Sequence, residues 1–290
     1  MGKYKFNKTY LKNSDIMLEE LVDSGYKFDL ILTDPPYNIG KDFGSKSNSL
    51  EINEFLKITK KRIKLLKRLL NKNGSIIWFG IHDYIGLIQN IMYELDLNYR
   101  RMIIWHYNNG FSRSKRYPSN TYEPVLWFSK SKNNWIYNVD KLRVPYKSKR
   151  VKSPVYYTDS KGNKKAWTPN PKGAMRGDIW ECPTLSGKNY KDERTDHPTQ
   201  KPEKLITDFI KGFCPTDEND KLIGKILDPF HGSGTVGVCA EKLNEMDNNI
   251  KWMGIEIEEK WNNVAKKRIR EINKNSEKKV VENDKETLFS

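Results

Sequence analysis

Two kinds of apolar pattern alternate along the chain. Short, largely apolar runs of strand length fall at 28–33, 75–79, 101–105, 124–129, 222–227 and 250–257. Between them, apolar residues recur at helical spacing. In 51–70, Phe55, Leu56, Thr59, Ile63, Leu66 and Leu70 share one face. Lys57, Lys60, Lys61, Lys64, Lys67 and Arg68 cover the other, which reads as a solvated helix back. The same spacing predicts helices over 83–96, 202–213, 235–243 and 258–272, the second with Pro202 in its first turn. Asn73-Gly74 is expected to stop the helix that begins near 51. Residues 38–50, rich in Gly, Ser and Asn, read as a loop. From 130 to 196 the rhythm breaks into short strand-like runs among Pro, Gly, Lys and Trp. Residues 273–290 are charged and aperiodic and read as a frayed tail.

Strands alternating with helices at both ends predict an α/β fold with a mostly parallel sheet. The expected division is one α/β domain from 1–129 and 197–272, an irregular inserted region at 130–196, and the tail at 273–290. No internal repeat is visible. The chain carries 52 Lys and Arg against 37 Asp and Glu, a net charge of +15. That excess suits a polyanionic partner, although a Lys-rich solvated surface gives the same sum. No apolar run approaches the roughly 18 residues of a membrane span. Met1 to Tyr10 contains no apolar segment of the signal-peptide kind. Cys182, Cys214 and Cys239 are far apart, so neither a disulfide framework nor a metal site is indicated. These features predict a cytoplasmic protein.

Two loops carry candidate chemistry. Asp228-Pro229-Phe230-His231-Gly232-Ser233-Gly234-Thr235 follows a predicted strand and opens a helix. Gly232, Gly234 and Gly237 fit Gly-x-Gly-x-x-Gly, and Glu256 closes the next strand, where its carboxylate can accept ribose hydroxyls. This is the fingerprint of a nucleoside-containing cofactor. No Lys follows the last glycine, which excludes a triphosphate P-loop. Asp228 stands where a dinucleotide would put phosphate, and a carboxylate there suits a cationic cofactor better. That shifts the choice from a nicotinamide dinucleotide toward S-adenosylmethionine. The second loop, Asp34-Pro35-Pro36-Tyr37, also ends a predicted parallel strand, because two prolines cannot continue a ladder. In open α/β sheets ligands bind at the carboxyl ends of the strands, so the two loops are expected to meet. A carboxylate, a proline-fixed carbonyl and an aromatic face together suit a flat amine; an ordinary proline turn with a surface Tyr is the plainer reading.

At these residues the chain resembles the β-class DNA amino-methyltransferases of restriction–modification systems, from about residue 10 to 272. In that class the Asp-Pro-Pro-Tyr motif comes first, a target-recognition region follows, and the cofactor motif comes last. His197-Pro198-Thr199-Gln200-Lys201-Pro202 resembles the segment that precedes the cofactor strand. The resemblance implies a Rossmann-like S-adenosylmethionine-dependent methyltransferase fold and methyl transfer to a base flipped out of duplex DNA. Tyr37 would stack on that base, and Asp34 with the Pro35 carbonyl would accept its amine hydrogens, Pro36 completing the motif. Asp15, Thr199, Lys201, Asp228, Pro229, Phe230, Gly232, Ser233, Gly234, Thr235 and Glu256 would hold the cofactor. Asp15 would contact the adenine end while also suiting a helix N-cap, and Lys201 and Thr199 would face the methionine end. Asp at the head of the tetrapeptide favours adenine N6 over cytosine N4. Arg113, Lys115 and Arg116 are candidate phosphate contacts. The insertion adds Lys147, Lys149, Arg150, Lys152, Lys164, Lys165, Lys172 and Arg176, with Tyr156, Tyr157, Trp167 and Trp180 interleaved, the tryptophans reading as packing residues. A homodimer and a cognate restriction endonuclease stay open as further partners. The rival readings are a nicotinamide-dependent oxidoreductase, an RNA or protein amine methyltransferase, and a non-enzymatic DNA-binding relic.

Overall fold

The computed structural model describes residues 2–38, 50–109, 115–148 and 154–288, with side chains through 274. One eight-stranded sheet organises them. In chain order its strands are β1 (Lys8–Leu11), β2 (Phe28–Thr33), β3 (Leu70–Phe79), β4 (Asn98–His106), β5 (Tyr122–Ser129), β8 (Ile179–Glu181), β9 (Ile223–Asp228) and β10 (Asn249–Glu256). Across the sheet they run β1-β10-β9-β2-β3-β5-β4-β8. Every neighbouring pair is parallel except β3 with β5 and β4 with β5, so β5 alone is reversed. Strands β6 (Val155–Thr158) and β7 (Lys164–Trp167) form a separate antiparallel hairpin.

The largely apolar runs follow from burial on both sheet faces. Successive side chains of β2, β3 and β5 go to opposite sides. Leu30, Leu32, Ile77, Phe79, Val125 and Trp127 enter one core. They meet α4 (Glu203–Phe213), α5 (Thr235–Asn244) and the start of α6 (Glu259–Leu288). Ile31, Ile76, Trp78, Leu126 and Phe128 enter the other, against α1 (Ser14–Asp23), α2 (Ile52–Leu69) and α3 (Ile85–Glu94). Among the described residues no helix is long and apolar enough to cross a membrane.

The site's position follows from the topology. β2 and β9 are adjacent and parallel, with Leu30 opposite Ile226 and Ile31 opposite Leu227. Beyond β2 the chain returns through α2 on one face; beyond β9 it returns through α5 on the other. Two neighbouring strands whose connections leave in opposite directions open a crevice at their carboxyl ends. Asp34 and Asp228 stand at those two ends.

Several local expectations are corrected. Asn73-Gly74 does not end α2: the helix stops at Leu69 and both residues lie inside β3. Gly74 sits there because a Cβ would come within 3.0 Å of the Asp29 carbonyl across the β2 bulge. Strand β1 carried no sequence signal, being four residues long and half exposed at a sheet edge. The frayed tail at 273–290 is overturned through Leu288, because α6 continues to that residue. Within 130–196 the structure places one strand of the main sheet: β8 pairs with β4, and Trp180 is buried, stacked on Phe209 at 4.5 Å. The packing expectation for tryptophan holds there and fails for Trp167, which is 48% exposed.

Candidate active site

A cavity of about 560 Å³ opens between the ends of β2 and β9. Its lining includes Asp34, Pro35, Pro36 and Tyr37 on one side, and Asp228, Phe230, Gly232, Ser233, Thr235 and Glu256 on the other. Asp15, Thr199 and Lys201 line it too. The two loops separated by 194 positions therefore share one space.

The β9 loop is held from within. Glu256 accepts the Gly232 N–H at 2.7 Å with one carboxylate oxygen and the Glu258 N–H at 2.8 Å with the other. Burial pushes its carboxyl up, opposed by those two backbone donors. Asp228 accepts the Phe230 N–H at 3.2 Å and lies 3.1 Å from Nδ1 of His231. The His231 ring is stacked 5.5 Å from Trp252. Asp228 is thus engaged by its own loop, where the sequence suggested a carboxylate left for a cationic ligand. The His231 N–H goes to the Ile255 carbonyl and the Gly234 N–H to the His231 carbonyl, both at 2.8 Å. With Phe230, His231, Gly232 and Gly234 all donating inside the protein, those donors are not offered to a pyrophosphate, which speaks against the oxidoreductase reading.

Both glycines are required by protein contact, and Gly232 also lines the cavity. Gly234 is left-handed, with φ +83°, and a Cβ there would lie 2.6 Å from the Ala265 Cβ and 2.9 Å from its Cα. Gly234→Ala is expected to destabilise the protein by about 2–4 kcal/mol, from the left-handed backbone and the forced overpacking together. Urea unfolding measures this, and a loss under about 1 kcal/mol would contradict the account. Gly232 is also left-handed, with φ +49°, and a Cβ there would lie 2.9 Å from His197 Nε2. His197 packs edge-on against Trp261, and burial lowers its pKa to about 4, so it is neutral and structural at neutral pH.

The opposite wall is a buried charge cluster. Lys201 Nζ donates to Asp34 Oδ2 at 2.6 Å and lies 3.3 Å from Glu123 Oε2. The Tyr37 hydroxyl donates to Asp34 Oδ1 and stands 3.4 Å from Glu123. Burial alone would discharge Lys201, but the two carboxylates outweigh it and raise its pKa. Its ammonium also sits 5.4–5.8 Å from the ring centroids of Phe79, Tyr37 and Trp105. Burial first, then Asp34 and Glu123, push the Tyr37 phenol well above its ordinary value, so it stays protonated. Gln200 orients the turn that delivers Lys201: its side chain accepts the Thr195 N–H at 2.8 Å and donates to the Glu193 carbonyl at 2.8 Å.

The sequence had pointed Lys201 at the methionine end of a cofactor; the structure ties it to Asp34. Asp15 is not the N-cap of α1, a role taken by Asn13, whose side chain accepts the Asp15 N–H at 2.8 Å. Asp15 instead forms a bidentate pair with Arg62 at 2.6 and 2.9 Å. Arg62 lies 5.1 Å over the Phe230 ring. Sequence reading missed Glu123 and Arg62. The only signal was a charged residue flanking an apolar run and one basic residue among many on α2. Arg113 lies outside the described residues, as do Lys149, Arg150 and Lys152; Lys115 and Arg116 are exposed. Arg176 is mostly buried and paired with Asp208 at 2.7 Å, which makes it structural. Among the described residues no group of His, Cys, Asp or Glu could hold a metal. Burial raises the thiols of all three cysteines, Cys182 to about 11, and none lines the cavity. A thiolate nucleophile therefore has no place here.

The chain belongs to the family described as DNA methylase, whose model matches residues 28–267. It is 32% identical over 243 residues to the type II methyltransferase M.HpaI of Haemophilus parainfluenzae, covering 83% of this chain and 68% of that protein. It is 29% identical to the DNA adenine methyltransferase YhdJ of Escherichia coli (strain K12), covering 83% and 76%. The M1.HpyAVI–SAM complex superposes with a TM-score of 0.58 at 26% identity, over 90% of this chain and 98% of that one.

Proposed function

We propose that this chain transfers a methyl group from S-adenosylmethionine to the N6 amine of adenine in duplex DNA. The observation that carries it is the single cavity in which Asp34-Pro35-Pro36-Tyr37 faces the Asp228–Thr235 loop. Adenine is favoured over cytosine by Asp at the head of the tetrapeptide and by the relative named as an adenine methyltransferase.

The donor set fits S-adenosylmethionine. Glu256 and Glu258 line the cavity together with Asp15, which Arg62 pairs, a set of acceptors suited to ribose hydroxyls and an ammonium. When bound, S-adenosylmethionine supplies an electrophilic methyl on its sulfonium. Glu256 has lone pairs left for the ribose; Asp15 and Phe230 would border the adenine, and Thr199, Gly232, Ser233 and Thr235 would shape the remaining wall, whereas Pro229 and Gly234 do not line the cavity and would act only by shaping the loop. Asp34 and the Pro35 carbonyl accept the hydrogens of the flipped base's amine, which localises the nitrogen lone pair. Tyr37 stacks on the base, an interaction worth roughly 1–3 kcal/mol. The nitrogen that gains a methyl must lose a proton, and the Asp34 carboxylate is the acceptor within reach.

The region 130–196 serves as target recognition in this reading. Its β6–β7 hairpin exposes Tyr156, Tyr157 and Trp167 beside Lys164 and Lys165, a surface suited to groove contact. Lys115 and Arg116, and Arg113 by the sequence resemblance alone, would contact phosphates. A cytoplasmic location, a cognate endonuclease and a second copy of the chain complete the proposal; the endonuclease rests on the type II relatives. Mass spectrometry of nucleosides from a methylation-deficient host expressing the chain tests it. N6-methyladenine is expected; N4-methylcytosine would overturn the choice of base, and an unmodified nucleoside profile would overturn the reaction.

A further inference from the structure

Glu123 is the buried carboxylate that the reaction as described leaves unused. It is the second residue of β5, the one reversed strand, and lies opposite Trp105 on β4. It does not line the cavity. Its Oε2 is 3.3 Å from the Lys201 ammonium, whose other carboxylate partner is Asp34 at 2.6 Å, and 3.4 Å from the Tyr37 hydroxyl, which donates to Asp34. Both groups that fix the Asp34 carboxylate are therefore shared with Glu123.

We propose that Glu123 is a positioning residue for methyl transfer, dividing the Lys201 ammonium with Asp34 so that Asp34 keeps the electron density needed to accept the substrate amine. This inference rests on the methyltransferase reading above. Two carboxylates, one ammonium and a neutral phenol leave the cluster with one net negative charge. A Lys201 bound to Asp34 alone would neutralise it and weaken it as an acceptor; the second carboxylate prevents that. Glu123 and Asp34 hold the same ammonium, so the Lys201 that donates to Asp34 Oδ2 is anchored by two carboxylates at once.

The groups facing Glu123 are Lys201 from the turn before α4, Asp34 and Tyr37 from the loop after β2, and Tyr107 from the end of β4. Burial pushes the Glu123 carboxyl up, Lys201 pulls it down, and Asp34 adds to the rise. The Tyr107 phenol is itself pushed up to about 12, first by burial and then by Glu123, so it stays neutral. Glu123 therefore gains its proton at a higher pH than an exposed carboxylate would.

The test is the single-turnover rate of DNA methylation against pH for the wild-type chain, Glu123→Gln and Glu123→Asp, with S-adenosylmethionine affinity and thermal melting measured alongside. Glu123→Gln is expected to lower the rate at neutral pH about tenfold or more, with cofactor affinity unchanged and the acid limb moved to lower pH, because the group that titrates there is gone. Glu123→Asp is expected to keep the acid limb at a reduced rate. A Glu123→Gln rate within about twofold of wild type would overturn the proposal. A lowered rate with an unmoved acid limb would also overturn it, because packing alone gives that result. A wild-type chain that methylates no DNA would bring down the functional reading and this inference with it; an active wild type with an indifferent Glu123→Gln would bring down the inference alone.

Discussion

Asp34→Ala is expected to abolish methyl transfer, lowering the rate by about a thousandfold or more, while S-adenosylmethionine still binds. The magnitude is that of removing a group that orients a substrate and accepts charge where the reaction develops it. The carboxylate of Asp34 lies on the β2 side of the cavity, whereas Glu256 and the glycine loop are held by bonds among themselves on the β9 side. Losing Asp34 leaves those bonds intact. Lys201 keeps Glu123 as a partner, so no buried cation is stranded and the fold is expected to tolerate the change. Calorimetric titration with S-adenosylmethionine and a labelled-methyl assay on the same preparation separate the two effects. Loss of cofactor binding in this variant would show that Asp34 belongs to the cofactor's own site.

The second large effect is expected at Lys201. Lys201→Met removes the one ammonium between Asp34 and Glu123, and the Lys201 side chain is only 6% exposed. Breaking a buried pair by deleting one partner costs about 3–5 kcal/mol, because the surviving charges are left without compensation. Here two carboxylates survive beside one another. Their repulsion favours the protonated form of one in the folded state, which raises a folded-state pKa above its unfolded value. The sign follows: the variant keeps its stability below the carboxylate range and loses it as pH rises through the raised value. Lys201→Met should therefore be destabilised at pH 7 and approach the wild type in acid, the reverse of ordinary acid unfolding. Urea unfolding at neutral pH and at about pH 4 reads this directly. Equal destabilisation at both values would mean that lost packing against Phe79, Tyr37 and Trp105 accounts for the effect.

The parts of the site that lay in one stretch of chain were legible in the sequence. A buried strand ending in Asp followed by two prolines, and another ending in Asp before a glycine loop, announce themselves through local pattern. The parallel sheet then forces the ends together, and β2 and β9 are direct neighbours. The interactions made by residues distant in sequence were not legible. Lys201 and Asp34 are 167 positions apart, and nothing in the turn before α4 shows which way the ammonium points. Glu123 reads as a polar flank to an apolar run; only the reversed direction of β5 brings its start to the sheet edge where Lys201 and Asp34 meet. Arg62 is one of many basic residues on α2, and only the packing of α2 on α1 pairs it with Asp15. Among single elements, β1 was invisible because a short polar edge strand has no periodicity to read. Gly74 misled because glycine marks helix ends and close strand approaches alike.

If one cavity joins a methyl donor to a base of DNA, the purified chain transfers the methyl of labelled S-adenosylmethionine to DNA. Unmethylated genomic DNA, total RNA and a protein extract are offered in parallel, with Asp34→Ala as the blank. Label is expected in DNA alone, recovered as N6-methyladenine and absent from the blank. Label in RNA or protein with none in DNA, or label in DNA that persists in Asp34→Ala, would contradict it.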